Sequence, residues 1–162
     1  MIEDKGGGGT GMARSVTAKK SVKPSRPAYH LDEQIGFLLR QVWQRHAAIF
    51  SREIGINLTS PQWAALSKLA EVGPCSQNQL GRLIAMDVAT IKGVIDRLTA
   101  RGFTETSRDP DDGRRLVVSL TRAGQQLAEK AAPKAIAISK ETLAPLDAKE
   151  RETLMTLLAK LR

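Results

Sequence analysis

Residues 108–124 constrain the fold of this chain most strongly, because they predict a β-hairpin placed directly after a helical segment. An extended run at 103–108 leads into residues 109–113, which are Asp, Pro, Asp, Asp and Gly and therefore favour a turn. A second β-rich run follows at 116–120. It ends at Thr121, whose side chain suits the N-cap of a long helix.

The tip of the predicted hairpin carries Arg114 and Arg115. Two arginines on a projecting hairpin suit the narrow minor groove of DNA, where negative potential attracts guanidinium groups. The alternative is a solvated turn, because charged runs usually face water. The helices that precede the hairpin decide between the two interpretations.

Apolar spacing, N-caps and helix breakers predict four helices before the hairpin. In chain order they are expected at 30–54, 60–72, 76–84 and 88–101. Ser60 is the expected N-cap of the second helix, with Pro61 in the first helical position. Ser76 opens a capping-box pattern at the third. Asp87 is the expected N-cap of the fourth, which Gly102 closes.

Two more helices are predicted after the hairpin. Thr121 begins a long helix that reaches about residue 143, and Pro133 should kink this helix or divide it in two. Asp147 is the expected N-cap of the last helix. That helix carries an apolar stripe formed by Leu154, Leu157, Leu158 and Leu161.

The formal net charge of +8 indicates a nucleic-acid partner only weakly, because half of it lies in residues 1–28. This segment contains Gly6–Gly9 and few apolar residues, so it predicts a disordered basic arm. The candidate DNA-reading residues 59–120 are almost neutral. The placement of individual charges therefore matters more than their sum.

Several classes of protein are not expected from this sequence. No apolar run approaches the roughly 18 residues that span a bilayer, and no secretory signal is evident, so we expect a cytoplasmic protein without a membrane partner. The single cysteine, Cys75, excludes an internal disulfide framework. His30 and His46 lack partners at metal-ligand spacing, and no nucleotide-binding or nucleophile motif is present. We expect no cofactor, no metal and no enzymatic activity.

A short helix, a tight turn, a longer helix and a hairpin in this order form a winged helix-turn-helix. Ile91, Val94, Ile95 and Leu98 share one face of the fourth helix and should pack inward. The other side carries small and basic residues that suit a major groove. The residues of the third and fourth helices expected to contact DNA are Gln77, Asn78, Arg82, Ala89, Thr90, Lys92, Gly93 and Arg97. Gly93 costs about 1 kcal/mol in mid-helix relative to alanine, which indicates either close backbone approach or simple tolerance.

The segments LGRLIAMDVATIKGVIDRLTARGF and RDPDDGRRLVVSLTRAG resemble the MarR family of bacterial transcription regulators. The resemblance covers about residues 30–161. It implies a two-fold dimer with interleaved first and last helices and a winged lobe on each side. It further implies that Arg114 enters the minor groove and that Asp112 braces the wing. Gly93 departs from the family, whose members often carry a basic or polar residue there.

The residues support dimerisation independently of the resemblance. The leucine stripe of the last helix and the apolar face of the first have no sheet to cover. Pairing two copies would bury both faces and place two recognition helices about one DNA turn apart, so the expected operator is an imperfect inverted repeat. We therefore expect a mainly α fold with a small β-hairpin wing. Its expected regions are a disordered arm at 1–28, a helical dimerisation region at 29–58 and 121–162, and a DNA-binding region at 59–120.

A group of aromatic and basic residues on the first two helices suggests a ligand site. Its members are Arg40, Trp43, His46, Phe50 and Trp63. Trp43, His46 and Phe50 line one side of the first helix. The resemblance places a small-molecule pocket between the dimer helices and the winged lobe, where these rings would surround a planar ligand and Arg40 or His46 would pair with an anion. The alternative is that the rings are core and that Arg40 is a surface charge.

The sequence thus predicts a ligand-responsive DNA-binding transcriptional regulator. Resemblance to regulators of aromatic catabolism favours a repressor released from its operator by a small aromatic or heteroaromatic carboxylate, or by its thioester. One alternative is a ligand-independent architectural DNA-binding protein. Another is a redox-responsive regulator that uses Cys75, although the reactive cysteine of peroxide-sensing relatives lies near the start of the first helix.

Overall fold

The computed structural model describes residues 28–55, 57–109, 112 and 116–162. Its elements are a 3-10 turn at Leu31–Glu33, then α1 (Ile35–Glu53), α2 (Ser60–Val72), α3 (Gln77–Leu83), α4 (Val88–Ala100), β1 (Thr104–Arg108), β2 (Leu116–Leu120), α5 (Arg122–Thr142) and α6 (Ala148–Lys160). The expected mainly helical fold with a β-hairpin is confirmed. Arg114, Arg115 and all but the last residue of the predicted basic arm lie outside the described residues.

Most helix starts follow from their N-cap side chains. Asp87, Thr121 and Asp147 each accept a hydrogen bond from a backbone N–H in the first turn, as predicted. The prediction for α2 was wrong by one residue. Thr59, not Ser60, is the N-cap, because the Thr59 hydroxyl accepts from the Gln62 N–H while the Gln62 side chain accepts from the Thr59 N–H.

Two other helix predictions differ from the structure. Ser76 caps α3 by accepting from the Gln79 N–H, but the reciprocal half of the predicted capping box is not formed. Helix α5 continues through Pro133 as one helix, so of the two expected outcomes, a kink or a division, the division does not occur. Ala131 and Ile138, on either side of the proline, are both fully buried, so packing against the rest of the fold stabilises the helix on both sides of the missing N–H.

The core lies where α2, α4, α5 and the hairpin meet. Its most completely buried side chains are Leu66, Leu80, Ile91, Leu98, Ile138 and Thr104. Helix α5 packs against both α1 and α2, and residues Asp32–Arg162 form one compact unit. No helix in the described ranges is both long enough and apolar enough to cross a bilayer.

The two strands pair antiparallel, with Thr104 opposite Leu120 and Arg108 opposite Leu116. Cys75, just before α3, adds a bridge to this hairpin. Its N–H donates to the Val118 carbonyl at 3.1 Å and its carbonyl accepts from the Val118 N–H at 2.8 Å. The backbone ahead of α3 is thereby fixed to the base of the wing.

The base of the wing is also fixed to the start of α5. The Thr121 N–H donates to the Phe103 carbonyl at 3.1 Å, and the Thr121 hydroxyl donates to the Gly102 carbonyl at 2.6 Å. Gly124 passes so close that an added Cβ would lie 2.9 Å from the Phe103 carbonyl carbon and closer still to its oxygen. Position 124, three residues after Thr121, therefore requires glycine because two backbone segments pack directly against each other there.

We expect Gly124→Ala to lower the free energy of unfolding by about 3 kcal/mol or more, because the methyl group would force two backbone segments apart. Urea unfolding followed by circular dichroism measures the change. Gly93→Ala is the matched control, since a Cβ there would lie 3.7 Å from its nearest neighbour. The control should gain up to about 1 kcal/mol. Equal stability of Gly124→Ala and the native chain would contradict the proposed close approach.

Candidate functional site

The turn between α3 and α4 sets the position of α4. The Met86 N–H donates to the Gly81 carbonyl at 2.8 Å, and Ala85 adopts a positive φ of 54° to make the reversal. A Cβ on Gly81 would lie 3.0 Å from the Met86 carbonyl oxygen and 3.2 Å from Ile91. The two helices are thus held at close range by backbone contacts.

Helix α4 has the two faces that the sequence predicted. Ile91, Val94, Ile95 and Leu98 are at most 3 % exposed and pack into the core. Ala89, Thr90, Lys92 and Arg97 are exposed on the other side, and Gly93 is half-buried there. The fold itself has room for a side chain at Gly93, so no internal contact explains the glycine.

Two polar side chains on the exposed face of α4 are held by carboxylates. The Asp87 carboxylate accepts from the Thr90 N–H at 2.8 Å and from the Thr90 hydroxyl at 2.7 Å. The hydroxyl bond and then the N–H bond lower the pKa of Asp87. The Lys92 ammonium forms an exposed ion pair with Asp96 at 2.7 Å. Any ligand of Lys92 therefore competes with a neighbouring carboxylate.

Helix α3 and the hairpin enclose a cleft of about 500 Å³. Gln77, Asn78 and Arg82 line it from the helix, and Thr106 lines it from β1. The structure thus brings together all three α3 residues expected to contact DNA. Asp112, the expected brace of the wing, is exposed.

A second cleft, of about 430 Å³, lies beside the exposed face of α4. Ala89, Thr90 and Arg97 line it together with Thr59 and Pro61 from the start of α2. The last two were not among the residues predicted for the site. The capping-box pattern of Thr59 and Gln62 is the sequence signal that could have located the start of α2, and with it these two residues.

Arg101, at the end of α4, is a further residue that the sequence did not indicate. Its guanidinium donates to the Asn57 carbonyl at 2.8 Å and lies 4.9 Å from the centre of the Phe103 ring. Asn57 belongs to the loop between α1 and α2. Arg101 therefore ties this loop to the end of α4, a contact over 44 residues of sequence that no local pattern encodes.

Three of the five predicted ligand residues form a row on α1. The ring centres of Trp43 and His46 are 5.8 Å apart, and those of His46 and Phe50 are 6.4 Å apart. Trp43 is 56 % exposed, whereas Phe50 is buried. A cleft of about 610 Å³ between α1 and the start of α2 is lined by Phe50 but not by Trp43 or His46. The row is therefore exposed to solvent at Trp43 and buried at Phe50.

The other two predicted ligand residues are not part of this row. Trp63 is half-buried and packs against the core, as the core interpretation expected for it. Arg40 is exposed one turn before Trp43. The described residues contain no group of three or more His, Cys, Asp or Glu that could hold a metal ion.

The Cys75 thiol has the features of a packed core group. It is buried, and burial raises the pKa of the thiol. A raised pKa lowers the fraction of thiolate, the form that reacts with peroxides. The environment of Cys75 therefore does not favour redox sensing.

Residues 58–116 match the model of the MarR family. The chain is 40 % identical to the HTH-type transcriptional repressor NicR of Pseudomonas putida, over 93 % of this chain and 95 % of that protein. It is 58 % identical to a probable transcriptional regulator from Pseudomonas aeruginosa, whose crystal structure has a TM-score of 0.80 and matches over 82 % of this chain and 100 % of that one.

A further similar structure is that of BpsR from Bordetella bronchiseptica, a protein whose DNA binding is regulated by 6-hydroxynicotinic acid. It is 41 % identical to this chain with a TM-score of 0.79, and the match covers 83 % of this chain and 96 % of BpsR.

We expect Asp87→Ala to lower the thermal midpoint at neutral pH by a few degrees, because α4 loses its N-cap. Asp87→Asn is the matched control and should keep most of the midpoint, since asparagine also caps helices. The folded-state pKa of Asp87 is lowered, so the charge-dependent part of its contribution is present at neutral pH and is lost as the pH falls below about 4. The protonated side chain keeps a capping oxygen, as asparagine does. Thermal melts from pH 7 to pH 3 test this. A difference between wild type and Asp87→Ala that does not narrow over this range would contradict the role of the carboxylate.

Proposed function

Because the chain belongs to the MarR family of transcriptional regulators, we propose that it is a homodimeric repressor of an inverted-repeat operator, released by a small aromatic acid. The observation that carries this proposal is the exposed face of α4. It carries small residues together with Lys92 and Arg97, its helix is capped at the N-terminus by Asp87, and it lines an open cleft. A helix with these properties can enter a major groove.

The DNA contacts are proposed in three groups. Ala89, Thr90, Lys92, Gly93 and Arg97 on α4 face the major groove. Gln77, Asn78 and Arg82 on α3 face the phosphate backbone. Arg114 and Arg115 at the hairpin tip enter the flanking minor groove, with Asp112 bracing the wing. Thr90 uses its hydroxyl proton in the bond to Asp87, so towards DNA that hydroxyl is an acceptor.

The partner that covers the apolar surfaces is proposed to be a second copy of this chain. Helix α6 contributes no buried residue, and Leu157 and Leu161 are 51 % and 74 % exposed. Leu38 and Val42 on α1 are exposed as well. Two such exposed apolar faces on one chain favour association. We therefore assign residues 29–58 and 121–162 to dimerisation and 59–120 to DNA binding.

The effector is proposed to be an aromatic or heteroaromatic carboxylate or its thioester, bound beside Trp43, His46 and Phe50. A row of tilted aromatic rings with an exposed end suits a planar ligand, and Arg40 supplies a cation near that end. Trp63 on α2, which packs against the core, is the fifth residue of the proposed ligand site. Support comes from the similarity to BpsR, whose DNA binding is regulated by 6-hydroxynicotinic acid.

We expect Arg114→Ala to weaken binding of a selected operator by about 1–3 kcal/mol, because one minor-groove contact is lost. Fluorescence anisotropy at physiological salt measures the affinity, and light scattering confirms that the dimer is intact. Arg162→Ala, which changes an arginine outside the proposed DNA-binding region, is the control for loss of one positive charge. An unchanged affinity in Arg114→Ala would remove the hairpin tip from the DNA interface.

An effector at one hundred times its Kd should stabilise the protein by about 2.7 kcal/mol, and so raise the thermal midpoint by several degrees. The acids to screen are benzoate, nicotinate and their hydroxylated forms, followed by operator release. Cyclohexanecarboxylate is the matched control because it has the charge without the planar ring.

Two outcomes would favour the alternatives. An architectural DNA-binding protein would show no shift with any acid, weak sequence preference and a steep dependence of affinity on salt. A redox regulator would lose operator binding in mild peroxide, and Cys75→Ala would prevent the loss. We expect neither.

A further inference from the structure

His46 is joined to the far end of α5 by a single hydrogen bond. Its Nδ1 atom lies 2.9 Å from the hydroxyl oxygen of Thr142, the last residue of α5. The Thr142 hydroxyl also lies 2.8 Å from the Ile138 carbonyl oxygen, one turn earlier on the same helix. The ring and the hydroxyl are both half-buried.

The position of each hydrogen in this series of hydrogen bonds follows from which groups can donate. The Ile138 carbonyl can only accept, so the 2.8 Å contact requires that the Thr142 hydroxyl donates its one proton there. The hydroxyl oxygen is then an acceptor towards His46. Nδ1 of His46 must carry a hydrogen and donate it. In the neutral imidazole the remaining nitrogen, Nε2, is consequently an acceptor.

Among the described residues, Nε2 of His46 has no hydrogen-bond partner. The ring it belongs to stands between Trp43 and Phe50, in the middle of the row on α1. A half-buried acceptor within a row of aromatic rings favours a ligand that presents a hydrogen-bond donor at its ring edge.

We propose that Thr142 is a positioning residue that fixes the Nδ1–H tautomer of His46, so that the site selects aromatic acids carrying a ring hydroxyl or ring N–H. This inference rests on the proposed effector class and narrows it. Arg40 lies six residues before His46, about 9 Å along the helix axis and about 120° around it, so its long side chain would reach a carboxylate at one end of the ligand while Nε2 accepts from a donor at the other. An acid without the donor leaves Nε2 unpaired in the complex.

The experiment combines tautomer and affinity measurements on the full-length protein. Nitrogen-15 NMR in an alkaline buffer identifies the neutral ring and its tautomer, and His30→Gln assigns the two histidine signals. Calorimetry compares 6-hydroxynicotinate with nicotinate and 4-hydroxybenzoate with benzoate. The variants are Thr142→Val, which removes the hydroxyl, and Thr142→Ser, which keeps it. Operator affinity without acid shows that each variant is folded.

Wild type and Thr142→Ser should show the Nδ1–H tautomer and bind the hydroxylated acid of each pair at least about three- to tenfold more tightly. Thr142→Val should shift the ring towards the Nε2–H tautomer and reduce that preference through weaker binding of the hydroxylated acid, because the donor of the acid then lacks its acceptor and only its oxygen can accept from Nε2–H. The unsubstituted acid should bind all three proteins with similar affinity.

Three results would overturn the inference. An Nε2–H tautomer in wild type would remove the role of Thr142. Equal binding of both acids of each pair would remove the selection but leave the proposed effector class standing. If no aromatic acid binds wild type at all, the effector class itself is wrong, and the acceptor role of His46 falls with it.

Discussion

The fold depends on the close approach of Gly124 to the Phe103 carbonyl. At this point the end of α4, the first strand of the hairpin and the start of α5 come together, and Thr121 adds two hydrogen bonds across the junction. The helix and hairpin proposed to contact DNA are thereby fixed to the 21 residues of α5, which extend about 30 Å to Thr142. The two proposed sites lie at opposite ends of one helix.

Local contacts position several side chains on the exposed face of α4. Asp87 holds Thr90, Asp96 holds Lys92, and the turn at Gly81 fixes the helix against α3. Preformed geometry reduces the entropy cost of binding. In the proposed DNA complex, a phosphate or base that contacts Lys92 would displace Asp96 from an exposed ion pair, which costs little.

The sequence predicts those features that neighbouring residues determine. The N-caps at Asp87, Thr121 and Asp147 and the buried face of α4 depend on residues within a few positions, so their patterns were sufficient. Contacts between distant residues were not accessible in this way. The His46–Thr142 bond spans 96 residues, and the glycine requirement at 124 depends on where Phe103 lies. Pro133 belongs to the same group, because tertiary packing outweighs the helix-breaking tendency of proline.

Helix α1 connects the two proposed properties of the chain, dimerisation and effector binding. Leu38 and Val42, which we assign to the dimer, occupy the same stretch of helix as the open end of the aromatic row at Trp43. A ligand between Trp43 and His46 would therefore lie beside the second copy. Such a ligand changes DNA affinity only if it binds one arrangement of the two copies better than the other. Because α1 is fixed to α5 by the His46–Thr142 bond and α5 to the wing by Gly124, a shift of α1 within the dimer would change the spacing of the two α4 helices.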